Sequence, residues 1–307
     1  MRAKLPFCTV ERHLRIFQVD AFTCTRFTGN PAMVVLDADG LSDLSLAAIA
    51  REFAHAEVAF VCAATAPDHD MRLRFFNTRK EAPFVGHATI AAHAVLLAIG
   101  RRGVGVCRQL CGMGIIEVSV HEDGAGTVEF RQTLPEFDPP LPLKTTLRIA
   151  EALRLSGAQL HDTMPARVAR KGSSRLLLPV GDARALDALT PNFDTLIALG
   201  NELKVDGFFA FSVNRGADGL STDSRMFCPA LGIAEDPVSG NAHAMLAGYL
   251  WDRGQFGNSV SAFVGRQGRQ MNRPGLVSVR LEIDHGELIA VHIGGSAVLV
   301  SEGTLTP

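Results

Sequence analysis

The tightest constraint on this chain is internal, because one stretch occurs twice, half a chain apart. Glu235-Asp236-Pro237-Val238-Ser239-Gly240-Asn241-Ala242 runs into an apolar segment that continues to Leu250. Glu81-Ala82-Pro83-Phe84-Val85-Gly86-His87-Ala88 runs likewise into small and apolar residues up to Leu97. Pro83 matches Pro237, Gly86 matches Gly240, His87 matches Asn241 and Ala88 matches Ala242, each 154 positions on in a chain of 307. Upstream, residues 52–61 parallel residues 202–211 at a separation of 150. Such a pattern describes two copies of one unit, packed together. In each copy turn chemistry precedes a run of helix formers. Pro237 suits the approach to a first helical turn, and Gly240 lets the backbone come close to a ligand. The amides of Gly240, Asn241 and Ala242 are then expected to be unpaired donors, a site for a carboxylate, with Asp236 at the same mouth. Either stretch alone reads equally as an ordinary capped helix. Two such termini facing one cleft make a ligand site between two lobes.

Composition narrows the partners. An apolar fraction of 47% and a charged fraction of 20% belong to a soluble globular protein with room for two cores. A net charge of −2 without a basic block argues against nucleic acid or an anionic membrane surface. Residues 1–13 lack an apolar core of signal-peptide length, and no apolar run reaches a membrane span. Cysteines at 8, 24, 62, 107, 111 and 228 form no disulfide framework or zinc spacing, so reduced thiols, a cytoplasmic location and no metal are expected.

Alternation and breaker residues predict strands over 14–22, 33–36, 58–62, 71–76, 115–120, 127–130, 176–180, 207–212, 225–228, 277–283 and 288–300, the last broken at Gly294-Gly295. Helices are expected over 42–54 with Ser42 as cap, after each repeated turn (to about 100 and to 254), and over 147–155 and 192–203. Four prolines within 135–142 mark a linker. The domains are therefore 1–134 and 135–307, with the last strand a candidate to pair with the N-terminal lobe.

Five segments, Gly29-Asn30-Pro31-Ala32, Ala56-Glu57-Val58-Ala59-Phe60-Val61, Gly86-His87-Ala88-Thr89, Glu235-Asp236-Pro237-Val238-Ser239-Gly240 and Gly294-Gly295-Ser296-Ala297, together resemble the PhzF family of phenazine-biosynthesis isomerases in the family's order. The resemblance implies an α+β, diaminopimelate-epimerase-like fold. Two similar lobes, each a β-sheet wrapped round a central helix, are related by a pseudo-two-fold and hold a small carboxylate substrate between them. It also implies no cofactor and usually a homodimer. Glu57 matches the family's proton-shuttling glutamate, His87 and Asp236 its polar partners, and Gly86 and Gly240 its backbone donors. One position departs: the family commonly has Ser where this chain has Asn241, so Asn241 is expected to bear on substrate choice.

The implied activity is a cofactor-independent isomerase that moves a proton within a small unsaturated or cyclic amino or hydroxy acid, of the trans-2,3-dihydro-3-hydroxyanthranilate isomerase type. An epimerase or racemase of a small amino acid, or a catalytically silent binding protein, is the alternative. Cysteine-dependent members of this fold carry a thiol just before each turn glycine; Val85 and Ser239 stand there. The repeat also places Glu57 opposite Gly207, so only one copy supplies an acid. A single carboxyl suits a proton shift better than a two-base inversion.

Overall fold

The structure is a computed structural model that describes residues 13–53, 57–217, 219–256 and 260–307. Its helices are α1 (Asp43–Glu52), α2 (Gly86–Ala98), α3 (Leu143–Ala152), α4 (Ala183–Asp187), α5 (Phe193–Leu203) and α6 (Gly240–Asp252). Among the described residues no helix is long and apolar enough to cross a membrane.

The strands repeat one pairing plan. In the first copy Leu14–Ala21 is antiparallel to Asn30–Val35, which runs parallel to Val58–Ala63, which is antiparallel to Met71–Phe76. Met71–Phe76 then runs parallel to Gly105–Cys111, followed by antiparallel Gly114–Val120 and Val128–Gln132. The second copy gives the same sequence of steps. Arg167–Lys171 is antiparallel to Ser173–Pro179, which runs parallel to Gly207–Gly216, which is antiparallel to Gly219–Cys228. Gly219–Cys228 runs parallel to Ala262–Gln267, followed by antiparallel Gly275–Asp284 and Glu287–Gly295.

The copies are tied in two ways. Glu287–Gly295 pairs with Val128–Gln132, placing Ile293 opposite Phe130. Ala297–Leu305 crosses to pair with Leu14–Ala21, and Glu136–Phe137 makes the equivalent crossing onto Arg167–Lys171. The proline-rich stretch read as a linker therefore contains a paired strand. The prolines flank the two-residue ladder rather than interrupt it, which leaves its hydrogen bonds intact.

Side-chain alternation explains the layering. Phe60 points to α1 and packs with Leu46 and Ile49, whereas Ala59 and Val61 point to α2. In the second copy Phe208 and Ala210 face the outer helices α3, α4 and α5, while Phe209 and Phe211 face α6. Each of these buried large side chains contributes about 1.5–3 kcal/mol relative to exposure. Helices α2 and α6 are buried on nearly every face, from Ala88 to Leu96 and from Ala242 to Leu250, which is what a helix encircled by sheet requires. Helix α3 begins at Leu143, four residues earlier than the pattern predicted, and stops at Ala152. Pro142 at its N-cap sets that start, since proline fits just before the first turn.

Candidate functional site

The two central helices begin side by side at the junction of the copies. Gly86 opens α2 and Gly240 opens α6, after N-caps Val85 and Ser239 in extended conformation. Each glycine has a packing reason. A Cβ on Gly86 would stand 2.9 Å from Phe130 Cζ, and one on Gly240 would stand 3.0 Å from Phe22 Cζ and 3.1 Å from Ile293 Cγ2. Aromatic rings thus brace both helix starts. The one-turn-later positions correspond as well: Thr89 Oγ1 donates back to Val85 O (2.9 Å), and His243 Nδ1 donates back to Ser239 O (2.8 Å).

The expectation for Ala242 is corrected. Its amide donates to Ser239 Oγ at 3.4 Å, so a serine side chain occupies a donor that was expected to be free. Asn241 is also engaged: its Nδ2 donates to Ser173 Oγ (2.9 Å), tying α6 to the start of Ser173–Pro179.

Glu57 lies just before Val58–Ala63, and its carbonyl accepts from Met33 N at 3.5 Å. Its side chain is 23% exposed and that of His87 12% exposed, so both are largely enclosed by protein. His87 Nε2 stands 3.4 Å from Glu57 Oε2. That nitrogen is fully buried yet makes no hydrogen bond within the described residues. The two groups are within ion-pair range but not aligned, leaving both with capacity for a third partner.

Asp236 ends Ile233–Asp236 and completes the group. Asp236 is half-buried, and burial, followed among the raising causes by the negative charge of Glu57, holds its carboxyl above its ordinary value. His87 and Arg175 act in the opposite direction and offset part of that rise. The structure therefore brings Glu57, His87 and Asp236 together within one electrostatic neighbourhood.

Three supporting residues carried no role in the sequence reading. Asn30 is buried, and its Nδ2 donates to Asp236 Oδ1 (2.9 Å) and Val238 O (2.8 Å), linking the first copy to the second turn. Gln267, also buried, clamps that turn from both ends. Its Nε2 donates to Asp236 O (2.6 Å) and its Oε1 accepts from Ser239 N (3.0 Å). Arg175 donates to Ser174 O (2.9 Å) but lies 3.8 Å from Asp206 Oδ2, and its buried Nε has no partner within the described residues. Asn30 belongs to the Gly29-Asn30-Pro31-Ala32 turn, whereas Gln267 and Arg175 lie in segments without any repeat signature.

The copies differ where acid–base work would occur. Gly207 takes the place of Glu57, and a Cβ there would meet Cys228 Sγ at 2.7 Å and Met226 Cε at 2.8 Å. Burial pushes the Cys228 thiol up to about 12, so it stays protonated. Among the described residues no group of three or more His, Cys, Asp or Glu is arranged to hold a metal ion.

Two copies of one unit, each wrapping its sheet round a central helix, with both helix starts near Glu57, His87 and Asp236, define a protein of the epimerase-like fold class. The family model for PhzC-PhzF, phenazine biosynthesis-like protein, matches residues 19–303, and the chain belongs to that family. Over 292 residues it is 36% identical to the uncharacterized isomerase YddE of Escherichia coli (strain K12), covering 93% of this chain and 96% of that one. The crystal structure of a PhzF-family phenazine biosynthesis protein from Bacillus anthracis matches with a TM-score of 0.85 at 24% identity, covering 96% of this chain and 100% of that one. A hydroxyproline epimerase from Agrobacterium vitis matches in fold, with a TM-score of 0.62 at 14% identity over 96% of this chain and 93% of that one.

Proposed function

We propose that this isomerase moves a proton within a small unsaturated or cyclic amino or hydroxy acid, with Glu57 as its single acid–base group. The observation that carries this reading is the Glu57–His87 contact at 3.4 Å beside Asp236, with Gly207 at the corresponding position of the other copy. Glu57 as carboxylate removes a proton from one carbon of the substrate, and the released electron pair moves through the adjacent double bond. The protonated carboxyl then returns the proton to the far carbon, so atoms and charge balance without a cofactor. The substrate carboxylate lies at the starts of α2 and α6, where first-turn amides and helix dipoles favour an anion. His87 and Asp236 hydrogen-bond the substrate's amino or hydroxyl group. The trans-2,3-dihydro-3-hydroxyanthranilate isomerase reaction is one member of this class, and Asn241 bears on which member this protein uses.

A two-thiol epimerase reading is disfavoured by Val85 and Ser239, neither of which can supply a thiolate. The test is a screen of unsaturated and cyclic amino and hydroxy acids in heavy water, read by mass spectrometry. Deuterium uptake with a shifted double bond supports the proposal. Racemisation of a saturated amino acid with no double-bond movement, or no exchange into any bound acid, contradicts it.

A further inference from the structure

A cavity of about 500 Å³ is lined by Phe84, Met113, Ile115 and Ile116 together with Thr133 and Lys171. It adjoins the site through two connections. Phe84 lies three residues before His87, with its ring edge-on to Phe130, the ring that braces Gly86. Lys171 lies two residues before Ser173, which holds Asn241.

The cavity joins an apolar wall to a lysine that has no carboxylate partner among the described residues. Met113 and Ile115 are large apolar residues left 56% and 43% exposed, and both lie at this cavity. Lys171 Nζ donates to Thr133 O and to Gln132 Oε1 (3.4 Å), and among the described residues no carboxylate pairs with it. The other charged groups at the cavity are Arg108, Glu117 and Arg131. Arg108 is held by Asp70 and Arg131 by Glu282, and the negative charge of Glu117 acts on Arg131. Burial first, and then the neighbouring positive charge of Arg131, push the Lys171 ammonium down to about 8. An ammonium turned toward another cation in a half-buried cavity is stabilised by any anion that arrives.

We infer that this cavity is a binding site for a small organic acid, its apolar body against Phe84, Met113, Ile115 and Ile116 and its anionic end on Lys171. The site stands on its own residues and does not depend on Glu57 chemistry. Because a bound anion favours the charged ammonium, binding weakens as pH rises above about 8.

The test uses the full chain labelled with ¹³C at methionine methyls, so that Met113 reports from the cavity wall, and 3-phenylpropionate as probe. The Met113 signal is expected to move saturably at pH 7. The dissociation constant should rise at least about tenfold with Lys171→Gln and stay within about threefold with Lys171→Arg. The neutral analogue 3-phenylpropionamide should bind at least about tenfold more weakly than the acid. From pH 7 to 9.5 wild type should lose affinity while Lys171→Arg keeps it. No saturable Met113 shift, equal affinity in Lys171→Gln, or equal binding of acid and amide would overturn the inference. Binding confined to the helix N-termini would leave Met113 still and would also overturn it. A protein that shows the Met113 response but exchanges no solvent hydrogen into any acid would uphold this site while contradicting the isomerase reading, so the two failures are distinguishable.

Discussion

Asp236 shows how one carboxyl is held out of its preferred state. Burial and the Glu57 charge keep it above its ordinary 3.8, so folding favours its protonated form. The stability it contributes is complete below the unfolded value and is lost as pH rises through the raised folded value. Asp236→Asn keeps an oxygen that accepts from Asn30 and removes this cost at neutral pH. We expect the variant to melt at or above the wild-type temperature at pH 7–8. Its kcat/KM should fall roughly two- to tenfold, the scale of one neutral hydrogen bond of about 0.5–1.5 kcal/mol. A melting point several degrees lower would show that Asp236 is a structural anchor. Asn241→Ser breaks the bond to Ser173 Oγ and should cost about 1 kcal/mol. It should also change the ratio of rates between two substrates; a uniform loss would make the residue a tether alone.

At the scale of elements, the central helices carry two buried histidines that acid should attack. Burial pushes His93 down to about 3 and His243 down to about 4. Each is neutral when folded and gains a proton near 6.5 when unfolded. Stability is therefore full above about 6.5 and falls by about 1.4 kcal/mol per pH unit per histidine below it. Chemical denaturation between pH 7 and 4 should show that slope, and His93→Gln should reduce it; an unchanged slope would contradict the assignment. Gly86→Ala tests the ring bracing, since its Cβ would fall 2.9 Å from Phe130 Cζ. Overpacking there should cost about 1–3 kcal/mol, part of it recovered in the Gly86→Ala/Phe130→Leu pair.

Elements with a short continuous apolar run or turn glycines, such as Val58–Ala63 and the starts of α2 and α6, were readable from the chain alone. Ala262–Gln267 was not, because its inward positions are Phe263, Gly265 and Gln267 rather than a row of apolar residues. Gly265 is there because a Cβ would strike the His243 ring at 2.1 Å, and Gln267 because it clamps the Asp236 turn. Arg167–Lys171 was hidden for a related reason: only Val168 and Ala169 of its five residues are buried. A pattern of hydrophobicity cannot show residues placed to serve another element.

At the scale of the molecule, the chain is one unit used twice with its last strand exchanged. Ala297–Leu305 leaves the second copy for Leu14–Ala21, and Glu136–Phe137 leaves the first for Arg167–Lys171. This plan was only half legible, since the repeat showed two copies but the prolines around Glu136–Phe137 masked the crossing. The duplication delivers two helix starts to one place, and Glu57 against Gly207 makes the result asymmetric. The proposed chemistry rests on that asymmetry, so the most direct measurement is made on Glu57→Gln. Gln keeps the size of the side chain and its hydrogen-bonding oxygen but cannot exchange a proton through a carboxyl. Binding of a substrate-like carboxylate by calorimetry and deuterium uptake by mass spectrometry should be measured on one preparation. A single-base mechanism predicts affinity within about threefold of wild type and exchange slower by roughly 10²–10⁴-fold or more. Normal binding with exchange within tenfold of wild type would contradict it and move the acid–base role to Asp236 or His87.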